Sequence, residues 1–369
     1  MNIDFSEAIT AYPVQWYQKM QQEHPVFYDM ERKMWHIFRY KDIYEALSTP
    51  DTFASRIEGK ESQTELSRRS YFRTLLSRVF SPDLVMLGEK RLVEHAHSLL
   101  DRVQARGQMD FVADFASPFA FRVLAEILGI PFEDEESLRY WSYFFVLDEH
   151  EEERQKCMQQ MDAYFSRLVQ VCRRSTSDGL ICALAEAVVD GQRLAMGELV
   201  AFCELLFAGS LEPLAHLIGS TLLCLSEQPE AYSAVQADTA LLPRALEEVL
   251  RYRSPVKCVT RRVLQKTQLD GYALAEGDIV NLWLGAANVD PAAFPHAHRF
   301  DIYRASNPHL SFGHGMHYCL GKPLVLIGVA TAWKVVLQRL PGLHIEPEAR
   351  LQAVPSSLIL GVQHLPVRW

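Results

Sequence analysis

The chain has little that would suit it to nucleic acid, to a membrane or to an oxidising compartment. Its 37 Lys and Arg are outnumbered by 46 Asp and Glu, for a net charge of −9 and a pI near 5.8. A phosphate backbone needs a basic face that this balance does not supply, so no nucleic-acid partner is expected. The opening stretch, MNIDFSEAITAYPVQWYQ, has neither a charged n-region ahead of an apolar run nor a span of bilayer length. A soluble, cytoplasmic protein without a membrane partner is the expectation. Seven cysteines, at 157, 172, 182, 203, 224, 258 and 319, show no C-x-x-C spacing. They read as reduced thiols, with neither a disulfide nor a zinc framework expected. No Pro/Gly/Ser-rich linker or block of charge divides the 369 residues. That length ordinarily suggests two or three domains, but the lack of any break argues for one large, mostly helical unit over 1–369. The 49% hydrophobic and 22% charged content is that of an ordinary globular chain.

What stands out is a run of ten residues, FGHGMHYCLG, from Phe312 to Gly321. It sets Cys319 among glycines, just ahead of a long apolar segment with a helical pattern. Gly313, Gly315 and Gly321 admit backbone angles closed to other residues, so the loop can wrap tightly around a sulfur and let a flat ligand approach. The start of the following helix and nearby backbone N–H groups would stabilise a thiolate. A thiolate held in this way is an axial ligand that donates electron density to haem iron and favours O–O cleavage. As one cysteine of seven, Cys319 could equally be a small buried hydrophobe. The ungapped pattern F-G-x-G-x-H-x-C-x-G decides between the two, because it resembles the haem-binding signature of the cytochrome P450 family.

That resemblance runs from about Tyr12 to Trp369 and implies the family's fold: mainly α with small β-sheets, a triangular helical prism with haem b between a central helix and the Cys319 loop. It implies a monooxygenase that inserts one oxygen atom from dioxygen into a small or medium apolar or amphipathic organic molecule, in secondary-metabolite biosynthesis. Electrons would come from NAD(P)H through a reductase and a ferredoxin or flavodoxin. This partner would dock where Arg68, Arg78 and Lys322 meet its acidic surface.

Taken in order, VQWYQKMQQEH reads as a helix, PVFYDM and MWHIFRY as short β-runs, and KDIYEALSTP as another helix. No Asn-Gly or Asp-Gly joins the β-runs, so a two-residue hairpin is not signalled, and Glu31-Arg32-Lys33 makes a polar break instead. An amphipathic stretch then carries Arg68, Arg69, Arg73 and Arg78 beside Phe72, Leu75, Leu76 and Val79. Such arginines can form a solvated face or hold haem propionates bidentately. Relatives show H-x-x-x-R before A-F-[ST]-P. Aligned on VFSP (79–82), Arg69 takes the His place and Arg73 the Arg place. MDFVADFASPFAFRVLAEILGI (109–130) resembles a core helix stopped by Pro131. Charged, aromatic-rich helices cover 133–174, where Trp141, Tyr143 and Phe144 could roof a pocket.

The segment 197–228 is long and apolar. It resembles the helix that crosses the distal haem face, where relatives carry [AG]-G-x-[DE]-T. Here the residues are Gly209-Ser210-Leu211-Glu212-Pro213, so the acid is kept and the threonine is proline. A helix-interior proline lacks its N–H and clashes with the carbonyl four residues back, at a cost of roughly 3 kcal/mol or more. The helix distortion is therefore expected to be built in at Pro213. Either Glu212, Ser210 or a substrate hydroxyl carries protons through ordered water and oxygenation survives, or the enzyme is atypical: peroxide-driven oxidation, oxidative coupling or dehydration. A non-catalytic docking module is a further reading. His216 reads as a packing or pocket residue.

ALEEVLRYRSPV (245–256) resembles the family's E-x-x-R helix. Glu248 and Arg251 share a helix face, and in relatives the pair closes with an arginine from FPHAHRF (294–300), here Arg299. Arg261, with Arg262 as the neighbouring alternative, aligns with a propionate-binding arginine, and His317 matches a third donor. Phe312 would shield the sulfur. Residues 257–260 and 357–360 are expected beside substrate, the latter in a closing β-hairpin.

Overall fold

The computed structural model describes residue 10 and residues 13–55, 82–174, 179–189 and 192–369. They form a mainly helical structure with small sheets, and they divide into two compact units.

The first unit draws on residues within Met1–Glu61, Ser220–Lys322 and Leu351–Val362. Its five-stranded sheet runs in the order Val26–Asp29, Met34–Ile37, Ile279–Leu282, Val259–Val263, Phe53–Ser55. The first two strands are the β-runs seen in sequence and pair antiparallel. Asp29 makes the turn that no glycine supplies: its Oδ1 accepts from the backbone of Glu31 at 2.8 Å and of Arg32 at 3.0 Å, and Lys33 takes a φ of 52°. Strand 279–282 then adds parallel to 34–37 and antiparallel to 259–263. Ile37, Val263, Val280 and Leu282 pack with Ile43, Ala46 and Leu47 of helix Tyr40–Ser48 in one core. A second cluster stacks Phe38 on Trp283, centroids 5.6 Å apart, with Trp16 edge-on at 5.1 Å from Trp283.

The second unit draws on residues within Ser62–Gly219, Pro323–Arg350 and Gln363–Trp369. The single helix expected over 109–130 is three elements: strand Gln108–Asp110, π-helix Phe111–Ala116 and α-helix Ser117–Leu128. Asp110 explains the break. Its Oδ1 accepts from the backbone of Val112 at 3.0 Å and of Leu365 at 3.0 Å, which caps the π-turn and ties strand 108–110 to strand Pro366–Arg368. Pro118 then fits the first turn of the α-helix, where no N–H is needed. Phe111 packs on Phe115 and on Trp333 of helix Lys322–Arg339.

One expectation needs correcting. Cys172 and Cys182 are not reduced thiols but a disulfide, with Cα atoms 4.7 Å apart. Cys172 ends helix Glu151–Cys172 and Cys182 lies early in helix Leu180–Glu186. Packing of these two helices brings together cysteines that no short motif marks. Cys157, Cys203, Cys224, Cys258 and Cys319 form no disulfide. Helix Met196–Ser226 continues through Pro213, where burial of Leu211, Leu214, Ala215, Leu217 and Ile218 offsets the local cost of the proline. Among the described residues this is the one helix long and apolar enough to cross a membrane, and 56% of its most apolar window is buried inside the protein.

Candidate active site

The Phe312–Gly321 loop closes on itself through its backbone. Cys319 N–H donates to the Phe312 carbonyl at 2.9 Å, Gly313 N–H to Leu310 at 2.8 Å and Tyr318 N–H to Gly315 at 3.1 Å. Gly313 and Gly315 hold φ values of 72° and 66°. At Gly315 a Cβ would also stand 2.9 Å from the Leu47 carbonyl, so helix Tyr40–Ser48 lies against the loop at a point only glycine allows. A Cβ at Gly321 would stand in van der Waals contact with Cys319 Sγ, at 3.7 Å. Cys319 itself is half-buried.

Two acidic neighbours of helix Leu242–Tyr252 fasten this loop, and sequence reasoning found only one of them. Glu248 pairs with Arg251 as expected, Nη2 to Oε1 at 2.8 Å and Nε to Oε2 at 2.9 Å, in full burial. The third member is not Arg299. Arg304 Nε donates to both Glu248 oxygens, at 3.2 and 3.1 Å, while Arg299 offers its backbone carbonyl to Arg251 at 2.9 Å. Arg251 also donates to the carbonyl of Asn288 at 3.0 Å. The Asn288 side chain then accepts from Leu310 N–H and donates to Ser311 Oγ, both at 2.7 Å. Hydrogen bonds thus run from the buried ion pair to the foot of the loop.

Glu247 grips the loop at both ends. Its Oε2 lies 2.7 Å from His309 Nε2 and its Oε1 accepts from Lys322 Nζ at 2.8 Å. Burial alone would raise this carboxyl, yet the His309 and Lys322 hydrogen bonds and charges hold it below the usual range. Lys322, expected to face a redox partner, is committed here and also lies over the Phe312 ring at 5.3 Å.

Strand Val259–Val263 turns the two arginines to opposite sides: Arg261 is 7% exposed and Arg262 is exposed, as alternation along a strand requires. His317 is half-buried at the end of the short helix Gly315–His317. Arg68, Arg69, Arg73 and Arg78 lie outside the described residues. The two stretches expected beside substrate do meet: Lys257 N–H donates to Leu358 and Leu360 N–H to Pro255, each at 2.8 Å. The closing hairpin is reduced to one isolated bridge, Ala353 with Val362, and a second bridge joins Ile359 to Val256.

In the second unit, Glu212 is 5% exposed on helix Met196–Ser226. Ser210, two positions earlier and so about 200° around the helix, does not share its face. His216 does: its Nε2 stands 3.5 Å from Glu212 Oε2. Tyr143, one of the three aromatics proposed as a roof, is pushed above the usual phenol range by burial and then by the charge of Glu212.

A family model described as Cytochrome P450 matches residues 123–341, more than half of the chain. The chain belongs to the cytochrome P450 family. It is 33% identical to cytochrome P450 monooxygenase PikC of Streptomyces venezuelae, over 93% of this chain and 84% of that one. The P450 fold also appears in CYP109E1 from Bacillus megaterium in complex with testosterone, at a TM-score of 0.89 and 29% identity, covering 99% of both chains. HmtN, a post-tailoring hydroxylase involved in himastatin biosynthesis, gives 0.86 and 32% over 96% of both. P450 membership brings a haem cofactor, and the donors present fit one: a cysteine outside any disulfide on a glycine-braced loop, with a residue lacking a side chain, Gly321, beside the sulfur, and a buried guanidinium at Arg261 suited to an anionic edge.

Proposed function

We propose that this P450 holds haem b through Cys319 Sγ, with Phe312 beside the sulfur and Arg261 and His317, together with Arg69 and Arg73, on the propionates. The enzyme is an oxidoreductase, a haem-thiolate monooxygenase acting on small organic molecules. Bound haem would supply oxygen activation, with the thiolate donating electron density. The chain's own part is positioning and tuning: Cys319 as ligand, the Glu248–Arg251–Arg304 cluster and Glu247 as the frame of the loop, Glu212 as proton carrier. A cytoplasmic enzyme fed by NAD(P)H through a ferredoxin or flavodoxin, working as one domain on an apolar or amphipathic secondary metabolite, completes the reading. Relatives named as a monooxygenase and a post-tailoring hydroxylase support it, and they leave the atypical and docking-module alternatives without favour.

The observation that carries the assignment is Cys319 on its self-closed loop within an unbroken family motif. The test is the visible spectrum of the reduced protein with carbon monoxide, beside Cys319→Ser. A strongly red-shifted Soret band in wild type, lost in the variant, is expected. A neutral-ligand spectrum in fresh wild-type protein would overturn the assignment.

A further inference from the structure

Glu212 and His216 sit one turn apart on helix Met196–Ser226, and both are buried, at 5% and 3% exposure. His216 Nε2 faces Glu212 Oε2 at 3.5 Å and has no hydrogen-bond partner among the described residues. A buried nitrogen in that condition costs about 1–3 kcal/mol. The neighbouring Leu214, Ala215, Leu217 and Ile218 are buried and apolar, and an imidazole among them buries polar nitrogens that an aliphatic side chain would not. Next to Glu212, Pro213 supplies neither a hydroxyl nor an N–H. Tyr143 on helix Glu135–Val146 is the further titratable group whose charge balance involves Glu212.

We propose that His216 and Glu212 together form the proton relay of this enzyme, with His216 resupplying the proton that Glu212 passes on. This rests on the monooxygenase reading above. No electron moves in the relay step: the Nε2–H bond of the imidazolium breaks as an O–H bond forms on Glu212, and water returns a proton to the imidazole. The overall oxygenation consumes dioxygen, two protons and two electrons from NAD(P)H, leaving one oxygen atom in product and one in water. His216 is thus a positioning and resupply residue acting through Glu212, and it replaces by proton exchange what the missing hydroxyl would have done.

The test compares wild type with His216→Phe, His216→Gln and Glu212→Gln as holoenzymes. The carbon monoxide spectrum is recorded first, so that loss of haem ligation is separated from loss of the relay. With that spectrum intact, both His216 variants should release at least threefold more peroxide per NAD(P)H consumed. Their turnover with added hydrogen peroxide, which brings its own protons and electrons, should stay within twofold of wild type. Pro213→Thr should restore coupling in the His216→Gln background and change wild type less than twofold. Imidazole 15N resonances of the reduced carbon monoxide complex, assigned to His216 by their loss in His216→Gln, should shift in Glu212→Gln. Equal losses with dioxygen and with peroxide, unchanged coupling, or 15N resonances indifferent to Glu212→Gln would each overturn the relay. A large uncoupling in wild type cured by Pro213→Thr would overturn it as well.

Discussion

Arg304 reaches back 56 positions to place its Nε against both carboxylate oxygens of Glu248, at 3.2 and 3.1 Å. The same guanidinium donates to the carbonyls of Pro295 and Arg299 at 2.8 and 3.1 Å, so one side chain both neutralises a buried acid and gathers the loop in front of it. Arg304→Ala should cost about 2–4 kcal/mol, because it strips a partner from a buried charge and leaves carbonyls without donors. Arg299→Ala should cost less than about 1 kcal/mol, since Arg299 contributes through its backbone. Urea unfolding of both variants checks the pair, and equal losses would refute the assignment of Arg304 as third member.

Glu247 gives the loop a pH dependence with a defined sign. Its carboxyl is held below the ordinary value of 4.5 when folded. Such a group contributes stability that is present above the ordinary value and disappears as pH falls through the lowered folded value. Glu247→Gln removes that contribution at pH 7, at roughly 1 kcal/mol for the hydrogen bonds to His309 and Lys322. The difference between variant and wild type should shrink as the solution is taken below the ordinary value. Unfolding curves collected from neutral to acid pH measure it, and a gap that stays constant with pH would count against the clamp.

The Cys172–Cys182 bond closes a short stretch of chain, ten positions from one cysteine to the other. By loop-closure entropy, removing it should cost about 3 kcal/mol. Cys182→Ser should lower the melting temperature of air-oxidised protein and change nothing once reductant is present. Thiol counts that do not rise by two on reduction of denatured wild type would show that the bond does not form in solution.

How much of this was legible beforehand differs from one residue to the next. The Cys319 loop could be read because its geometry is local: the glycines, the sulfur and the backbone bonds that join them lie within ten consecutive residues. The Glu248–Arg251 pair could be read because three positions on a helix fix a shared face. Arg304 could not. Several arginines follow that helix, and the route of the chain between Asn288 and Asn307 selects which one arrives. Glu247 and His309 gave no signal either, for an acid beside an E-x-x-R motif and a histidine in a loop are unremarkable until their elements meet. The i, i+4 spacing of Glu212 and His216 was in plain sight, but the burial that makes the pair consequential was not.

The sequence by itself determined the family, the glycine-rich loop around Cys319 and the presence of Pro213 after Glu212, since each is carried by consecutive residues whose chemistry does not wait on distant contacts. Only the tertiary structure decided that Arg261 and not Arg262 turns inward, that Arg304 closes on Glu248, that Lys322 is held by Glu247, and that Cys172 meets Cys182. Each depends on strand register, loop path or helix packing. These are set by burying apolar surface across the whole chain, and a local pattern of residues cannot encode them.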